Sequence, residues 1–204
     1  MDQEIQPQGA VDDGGSIRFE IWDRAFYATA TASTFEYRAE LLKRRLRLLN
    51  FVALVVPVIV GSLALGYGAG FRYLSVAVAI GAAIGIGQLV ISLWAVVAAW
   101  VENYGYAITS LIDNQKIARD LEALVQKPTS DSKELQRRFD LIKVADDARQ
   151  AQDYAQGLTD EEKRRGHRAA LRKRGMKCSG CGEIPMSMAP SECGVCGQYK
   201  TKKF

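Results

Sequence analysis

The chain has 204 residues, a formal net charge of +4 and a mean hydropathy of −0.08. This average conceals two long apolar segments in an otherwise strongly polar chain, and segments that are apolar all round exclude an ordinary soluble bundle, whose helices keep a polar face. Charge is uneven too: residues 1–40 hold eight Asp or Glu against three Arg, whereas residues 163–204 hold eleven Lys or Arg against two Glu. The basic tail is therefore the part of the chain where we expect a polyanionic partner to bind.

The N-terminal part of the chain is polar and then amphipathic. Residues 1–16 are acidic and glycine-rich, which predicts a disordered tail. Phe19, Trp22 and Phe26 then recur at helical spacing, so residues 17–47 predict a cytoplasmic helix that leads into the membrane. The acidic N-terminus and the late first apolar run argue against a secretory signal peptide.

Residues 48–101 contain the two apolar segments, Leu48–Tyr67 and Tyr73–Val101, and neither contains a Lys or Arg. Because about 20 helical residues cross a hydrocarbon core of about 30 Å, each segment is long enough to span a membrane. The sequence therefore predicts a two-transmembrane helical hairpin. The second segment is longer than one bilayer needs, and we expect it to continue as an unbroken helix into the cytoplasm from about Trp100.

Basic residues near the spans predict the orientation of the hairpin. Lys43, Arg44, Arg45 and Arg47 precede the first span, whereas the hairpin tip carries only Arg72. An excess of Lys and Arg on the side of the termini predicts that both termini lie in the cytoplasm. The basic run also falls where anionic headgroups of the membrane lipid would lie.

The second span contains a stripe of small residues. Ala77, Gly81 and Gly85 recur every four residues, and Gln88 is the strongly polar side chain deep in this span. Small residues at this spacing let another helix approach closely. Two interpretations stay open: the stripe packs against the first span, or it joins copies of the chain in a homo-oligomer. Gln88 either hydrogen-bonds to the partner helix or lines a water-filled path in an oligomer, so all four residues are helix-packing or pore-lining candidates.

Residues 102–157 predict cytoplasmic helices with apolar stripes. We expect these helices to pack with residues 17–47 as a small bundle, and packing against another copy of the chain is the alternative. The predicted apolar face of the later helix consists of Leu135, Phe139, Ile142, Ala145 and Ala148.

Residues 158–177 predict a basic helix. Thr159 and Glu162 have the spacing of a capping box, and Gly175 is a typical helix end. Its candidates for binding a polyanion are Arg164, Arg165, Arg168, Arg172, Lys173 and Arg174. Nucleic acid and anionic lipid are both suitable polyanions, and a solvated basic face is the third interpretation. We expect His167, the only histidine, to be solvated among these arginines.

All the cysteines lie in residues 178–204, as two CxxC pairs with eleven residues between them. The candidate metal ligands are Cys178, Cys181, Cys193 and Cys196. Two such pairs predict a structural zinc ribbon, because four thiolates satisfy tetrahedral Zn²⁺ and the metal supplies folding energy that a short segment lacks. Gly182 and Gly197 follow the pairs, as expected where the chain turns back with an unusual φ. A cytoplasmic tail disfavours disulfides, and a catalytic zinc would need an open coordination position.

Motifs of enzymes are missing from the sequence. The chain has neither a P-loop nor a G-x-S-x-G motif, and its single histidine cannot build a His-based metal site. The glycine-rich stretches Gly66–Gly70 and Gly81–Gly87 lie in or beside the predicted spans, so they are not phosphate-binding loops. We therefore expect no catalytic residue and no enzymatic activity.

The arrangement of residues 17–150 resembles the SLATT family, bacterial proteins with two membrane spans flanked by cytoplasmic helices. The matching features are the leading helix, the Leu41-Leu42-Lys43-Arg44-Arg45 run, the hairpin and the helix from Tyr104 onward. The CSGC and CGVC pairs are similar to those of mobile-element-associated CxxC-x11-CxxC proteins, which often carry a SLATT-like region. This resemblance implies an all-α, multi-pass protein of the bacterial inner membrane that acts in antiviral, anti-phage defense.

Two functional hypotheses of different classes follow. In the first, this protein is a pore-forming effector of the abortive-infection type, which oligomerises and perforates or depolarises the inner membrane when a partner triggers it. The resemblance suggests a nucleotide-signal synthase or a reverse transcriptase system as the sensor protein. In the second, the hairpin anchors an adaptor whose zinc ribbon recruits a protein or nucleic acid. A subunit of a transporter or secretion complex is a third alternative.

Overall fold

The computed structural model describes residues 13–67, 73–126 and 132–200. These ranges contain five α-helices and no strand, so the predicted all-α class is confirmed. The helices are α1 (Asp13–Tyr67), α2 (Leu74–Val97), α3 (Trp100–Gln126), α4 (Ser132–Tyr154) and α5 (Asp160–Arg174). The chain forms two compact units. Unit 1 holds the described residues up to Phe35 and those from Ser110 onward, and unit 2 holds Glu36–Thr109.

The predicted leading helix and the first apolar segment form one helix, α1. This helix begins at Asp13, within the stretch 1–16 for which the sequence predicts disorder; residues 1–12 of that stretch lie outside the described residues. Pro57 lies inside the helix. The helix α1 therefore contributes residues to both units.

In unit 2, α1 and α2 each contain a stretch that is long and apolar enough to cross a membrane. No residue of the most apolar window in either helix is buried, and Leu65, for example, is 90% exposed. Core helices of soluble proteins bury such surfaces. This finding agrees with two candidate spans, on the grounds of length, composition and exposure.

The second span does not continue unbroken into the next helix, in contrast to the expectation from the sequence. The helix α2 ends at Val97, and Ala99 adopts a left-handed conformation with φ of +49°. Such a conformation costs a non-glycine residue about 1–2 kcal/mol. The Asn103 side-chain amide donates to the Ala98 carbonyl at 3.0 Å, which satisfies a helix-end acceptor and compensates part of that cost.

Unit 1 has a core made by α1, α3 and α4. Its buried members are Ile21, Ala25, Ala28, Ile117, Ala118, Leu121, Leu135 and Phe139. The predicted face of α4 is only partly correct. Ala145 and Ala148 are exposed, whereas Asp146, Arg149 and Asp153 are buried. The helix turns these charged side chains inward because each finds an opposite charge there.

Both predicted ends of α5 are confirmed. Thr159 and Glu162 form a reciprocal capping box, and Gly175 adopts the left-handed conformation at φ of +63°. The acidic first turn and the basic last turn both complement the helix dipole. Local sequence signals thus define both ends of α5, which leads directly into the cysteine tail.

Candidate metal centre

The four cysteine sulfurs lie together at one site. All four Sγ atoms are within 4.8 Å of one another. The shortest contacts join the two pairs: Cys178 to Cys193 and Cys181 to Cys196, each with an Sγ–Sγ distance of 3.9 Å. Cys178 and Cys196 are buried, whereas Cys181 is exposed. Each CxxC pair therefore contributes one buried thiol to the site.

These distances fit a metal ion and exclude disulfides. A tetrahedral Zn²⁺ with Zn–S bonds of about 2.3 Å separates its sulfurs by about 3.8 Å. A disulfide needs about 2.05 Å, and all four cysteines are free thiols. The cluster thus confirms a candidate metal-binding group, and soft thiolate donors favour zinc, copper(I) or iron–sulfur clusters over hard cations.

Backbone turns bring the thiols into position. The N–H of Gly182 donates to the Cys178 carbonyl at 2.8 Å, and the N–H of Gly197 donates to the Cys193 carbonyl at 2.8 Å. Gly182 has φ of +73°, as the sequence predicts. Gly197 is required for a different reason, because a side chain at this position would collide with the backbone of Ser191.

The tail has turns in place of the sheet that the term zinc ribbon implies. Among residues 175–200 the structure contains neither a strand nor a helix. The backbone hydrogen bonds of these residues close each CxxC turn on itself: Cys178 N–H donates to the Glu183 carbonyl at 2.9 Å, and Ser191 N–H donates to the Gly197 carbonyl at 3.2 Å. A metal ion bound by the four cysteines would connect the two turns and stabilise the tail.

The thiols differ in acidity before any metal binds. Backbone N–H groups of Cys196 and Val195 lower the pKa of Cys193 to about 7. Burial raises the pKa of Cys196 to about 12. A divalent ion that binds all four sulfurs must therefore displace protons, so that metal uptake releases acid.

The tail packs on the helices of unit 1 through a small core. Its buried members are Phe26, Ala30, Ala170, Leu171, Cys178 and Cys196. At Gly166, an added Cβ would overlap the Thr34 hydroxyl and the Ala30 carbonyl oxygen, so α5 approaches α1 as closely as a glycine allows. Sequence reasoning missed Gly166; its only signal is a glycine inside an otherwise good helix.

Two of the six polyanion-binding candidates point inward. Arg168 is buried and hydrogen-bonds to the cysteine tail. Arg174 donates to the Ala25 carbonyl and the Thr29 hydroxyl, each at 2.9 Å, and pairs with Glu122. Burial of these guanidinium groups follows from their acceptors, which lie on neighbouring elements.

The other four candidates lie nearer the surface. Arg172 and Lys173 are exposed. Arg164 donates to the Gln198 carbonyl at 3.2 Å, and the Arg165 guanidinium lies 5.8 Å from the centre of the Tyr199 ring. Arg168 and Arg174 therefore stabilise the fold, and of the six candidates Arg172 and Lys173 are the exposed ones.

The candidates on α2 face different surroundings. A Cβ on Gly81 would lie 2.8 Å from Val60 Cγ2 of α1, so this glycine serves the contact within the hairpin. A Cβ on Gly85 would meet nothing within 4 Å. Ala77 and Gln88 are half-buried, and within the described residues the Gln88 amide forms no hydrogen bond. The stripe therefore has one half that packs intramolecularly and one half that remains uncovered.

His167 is half-buried, in contrast to the expectation of a freely solvated residue. Its ring packs edge-on against Phe26 with centroids 4.9 Å apart, and burial lowers its pKa. It lines a cavity of about 870 Å³ in unit 1, together with Tyr27, Asp146 and Lys163. Asp146 Oδ1 is buried there without a hydrogen-bond partner among the described residues.

Comparison with known proteins adds a family to this geometry. No curated protein matches the chain, and no solved structure matches it. A family model described as "Mobilome CxxCx(11)CxxC protein" matches residues 18–199 and thus most of the chain, including both cysteine pairs. The chain therefore belongs to the mobilome CxxCx(11)CxxC protein family.

Proposed function

We propose that this protein is a membrane effector that assembles from several copies and perforates or depolarises the bacterial inner membrane. Within the proposal it acts in an anti-phage system of the abortive-infection type, when a partner triggers it. The single observation that carries the proposal is the uncovered half of the α2 stripe, with open space at Gly85 and an unsatisfied amide at Gln88 among the described residues.

The physical argument begins from the hydrocarbon core. A polar amide deep in a membrane span needs protein or water beside it. Within the described part of the hairpin, α1 meets α2 at Gly81 but supplies no partner to Gln88. A second copy, or water in a pore lined by several copies, satisfies the amide.

The hairpin has a basic end that supports the proposed orientation. The Arg45 guanidinium lies 5.6 Å from the centre of the Trp100 ring. The basic run before the first span therefore lies beside the end of the second span, and amphipathic rings and Lys or Arg collect at the cytoplasmic interface. With this end inside, both chain termini lie in the cytoplasm, and anionic lipid is a natural partner.

The cysteine tail has a structural role in this proposal. A single Zn²⁺ holds the two CxxC turns together and docks them on α1 and α5. The exposed basic side chains nearby, Arg172 and Lys173, offer a surface on which a triggering protein or nucleic acid could act. None of the groups has a catalytic role.

The family name supports an association with mobile genetic elements and carries no information on the mechanism. The family is described as one of mobilome proteins. The resemblance of residues 17–150 to SLATT proteins supports the effector role and a nucleotide-signal synthase or reverse transcriptase system as the sensor.

The test replaces residues 48–101 with an unrelated two-span hairpin, in cells that also express the neighbouring genes. An effector that acts through its spans loses its toxicity in this chimera at equal membrane levels. Full toxicity of the chimera would contradict the proposal and favour the adaptor hypothesis, in which the hairpin is only an anchor.

A further inference from the structure

Arg168 joins the helix α5 to the cysteine tail at several points. Its Nε donates to the Ser187 carbonyl at 2.8 Å. Its Nη1 donates to the Ser191 hydroxyl at 3.2 Å and to the Cys196 carbonyl at 3.3 Å. The same Nη1 lies 3.7 Å from Cys196 Sγ, within range of an N–H···S hydrogen bond. One buried side chain thus contacts the connection between the two pairs and the second pair itself.

The positive charge of Arg168 would stabilise a metal bound by the four thiolates. Four thiolates around a divalent ion leave two negative charges in excess. Cys178 and Cys196 are buried, so water cannot solvate that excess charge fully on their side of the cluster. A guanidinium that donates to a sulfur neutralises part of the charge and favours the thiolate over the thiol.

The shape of the side chain also matters. Arginine presents several N–H donors in a rigid plane, whereas lysine offers one compact ammonium group. Arg168 uses both Nε and Nη1, on acceptors that belong to different parts of the tail. A lysine could replace the charge but could not hold these acceptors at the same time.

We infer that Arg168 is a positioning residue of the metal centre. It fixes the backbone and sulfur of Cys196 and offsets the charge of the tetrathiolate, so the centre binds a thiophilic divalent metal more tightly than the cysteines alone would. This inference rests on the proposed metal-binding role of the cluster. Partners that orient metal ligands typically change metal affinity by about 10–100-fold.

The experiment measures metal binding by the full chain in detergent. Co²⁺ serves as the spectroscopic probe, and Zn²⁺ affinity is obtained by competition with a chromogenic chelator. The variants are Arg168→Met and Arg168→Lys, and the matched control is Arg172→Met, an exposed arginine on the same helix. Helicity and hydrogen exchange of the zinc-saturated proteins verify that each variant is folded.

We expect Arg168→Met to weaken Zn²⁺ binding by about 10–100-fold. The Zn²⁺ affinity of Arg168→Lys should fall between those of Arg168→Met and the native chain. The Zn²⁺ affinity of Arg172→Met should stay within about twofold of the native value. Loss of an N–H···S donor should also move the thiolate-to-cobalt charge-transfer band to longer wavelength in Arg168→Met. A purely structural role would not move that band in a folded protein.

Native affinity and an unmoved band in folded Arg168→Met would overturn the inference. If that variant does not fold, Arg168→Lys decides alone: affinity and band equal to those of the native chain would overturn it. A native chain that binds neither metal would instead overturn the metal-binding role itself, and the inference with it.

Discussion

Asn114 on α3 donates from its side-chain amide to Asp153 Oδ2 on α4 at 2.7 Å, and both side chains are buried. The other carboxylate oxygen of Asp153 accepts from the Ser110 hydroxyl at 2.8 Å and from Arg149 Nη2 at 2.7 Å. This polar network joins α3 and α4 beside the apolar core of unit 1. The polar groups of this network hydrogen-bond to one another, and these bonds offset the cost of burying the charges of Asp153 and Arg149.

Asp153→Asn should therefore destabilise unit 1. The change removes the charge that faces Arg149 and turns an amide donor toward other donors, and loss of one partner of a buried pair costs about 3–5 kcal/mol. The matched control is Asp147→Asn on the same helix, since Asp147 is half-exposed and its pair with Arg24 contributes about 0–1 kcal/mol. Native-state hydrogen exchange of α3 and α4 measures the loss of stability in each variant. Equal losses in Asp153→Asn and Asp147→Asn would refute the role of burial.

Gly166→Ala should loosen the contact between α5 and α1. An added methyl overlaps Ala30 and Thr34, and overpacking typically costs about 1–3 kcal/mol. Gly105→Ala is the control, because a Cβ there meets nothing within 4 Å and alanine favours a helix. Thermal unfolding of the full chain in detergent should show a lower midpoint for the first variant only. A midpoint unchanged by Gly166→Ala would show that α5 does not pack closely on α1.

His167 should make the free energy of unfolding decrease as the pH falls below about 6.5. Burial lowers its pKa in the folded state below the ordinary value near 6.5, so the unfolded chain binds the proton more readily. The contribution of the neutral ring is present above pH 6.5 and is lost as pH falls. His167→Phe keeps an aromatic ring against Phe26 and should flatten the dependence of the unfolding free energy on pH. An identical slope in both proteins would contradict this assignment.

Removal of the metal should release the tail while the helical core persists. The Cys turns have no core of their own, whereas α1, α3 and α4 share a buried apolar cluster. We expect one Zn²⁺ per chain by elemental analysis. A chelator should increase alkylation of Cys178 and Cys196, which are buried in the structure, and leave most helicity unchanged. Rapid alkylation of both cysteines in the zinc-loaded protein would contradict the site.

The sequence predicts those features that are local in chain position. The CxxC spacing, the capping box at Thr159 and the helix end at Gly175 depend on neighbouring residues, and all three appear in the structure. The break at Ala99 is not predictable, because alanine favours a helix and the Ala98 carbonyl at the helix end is satisfied by Asn103, five residues further on.

Features that depend on tertiary packing were less accessible from the sequence. A basic helix indicates a polyanion surface, yet Arg168 and Arg174 turn inward because acceptors on the tail, α1 and α3 lie there. In the same way, the apolar spacing on α4 suggested that Ala148 is buried, while the buried network at Asp153 rotates that face outward. The charge pattern alone therefore does not predict which arginines form hydrogen bonds or ion pairs with neighbouring elements.

The most direct measurement of the central claim is membrane potential in bacteria that express this protein together with its genomic neighbours. The comparison uses Gly85→Leu, on the uncovered stripe, and Gly87→Leu, a neighbouring glycine that points away from it and also has open space. At equal membrane levels, we predict that the native chain and Gly87→Leu depolarise the cells once triggered, and that Gly85→Leu does not. Depolarisation by Gly85→Leu equal to that of the native chain would contradict assembly through this face of α2.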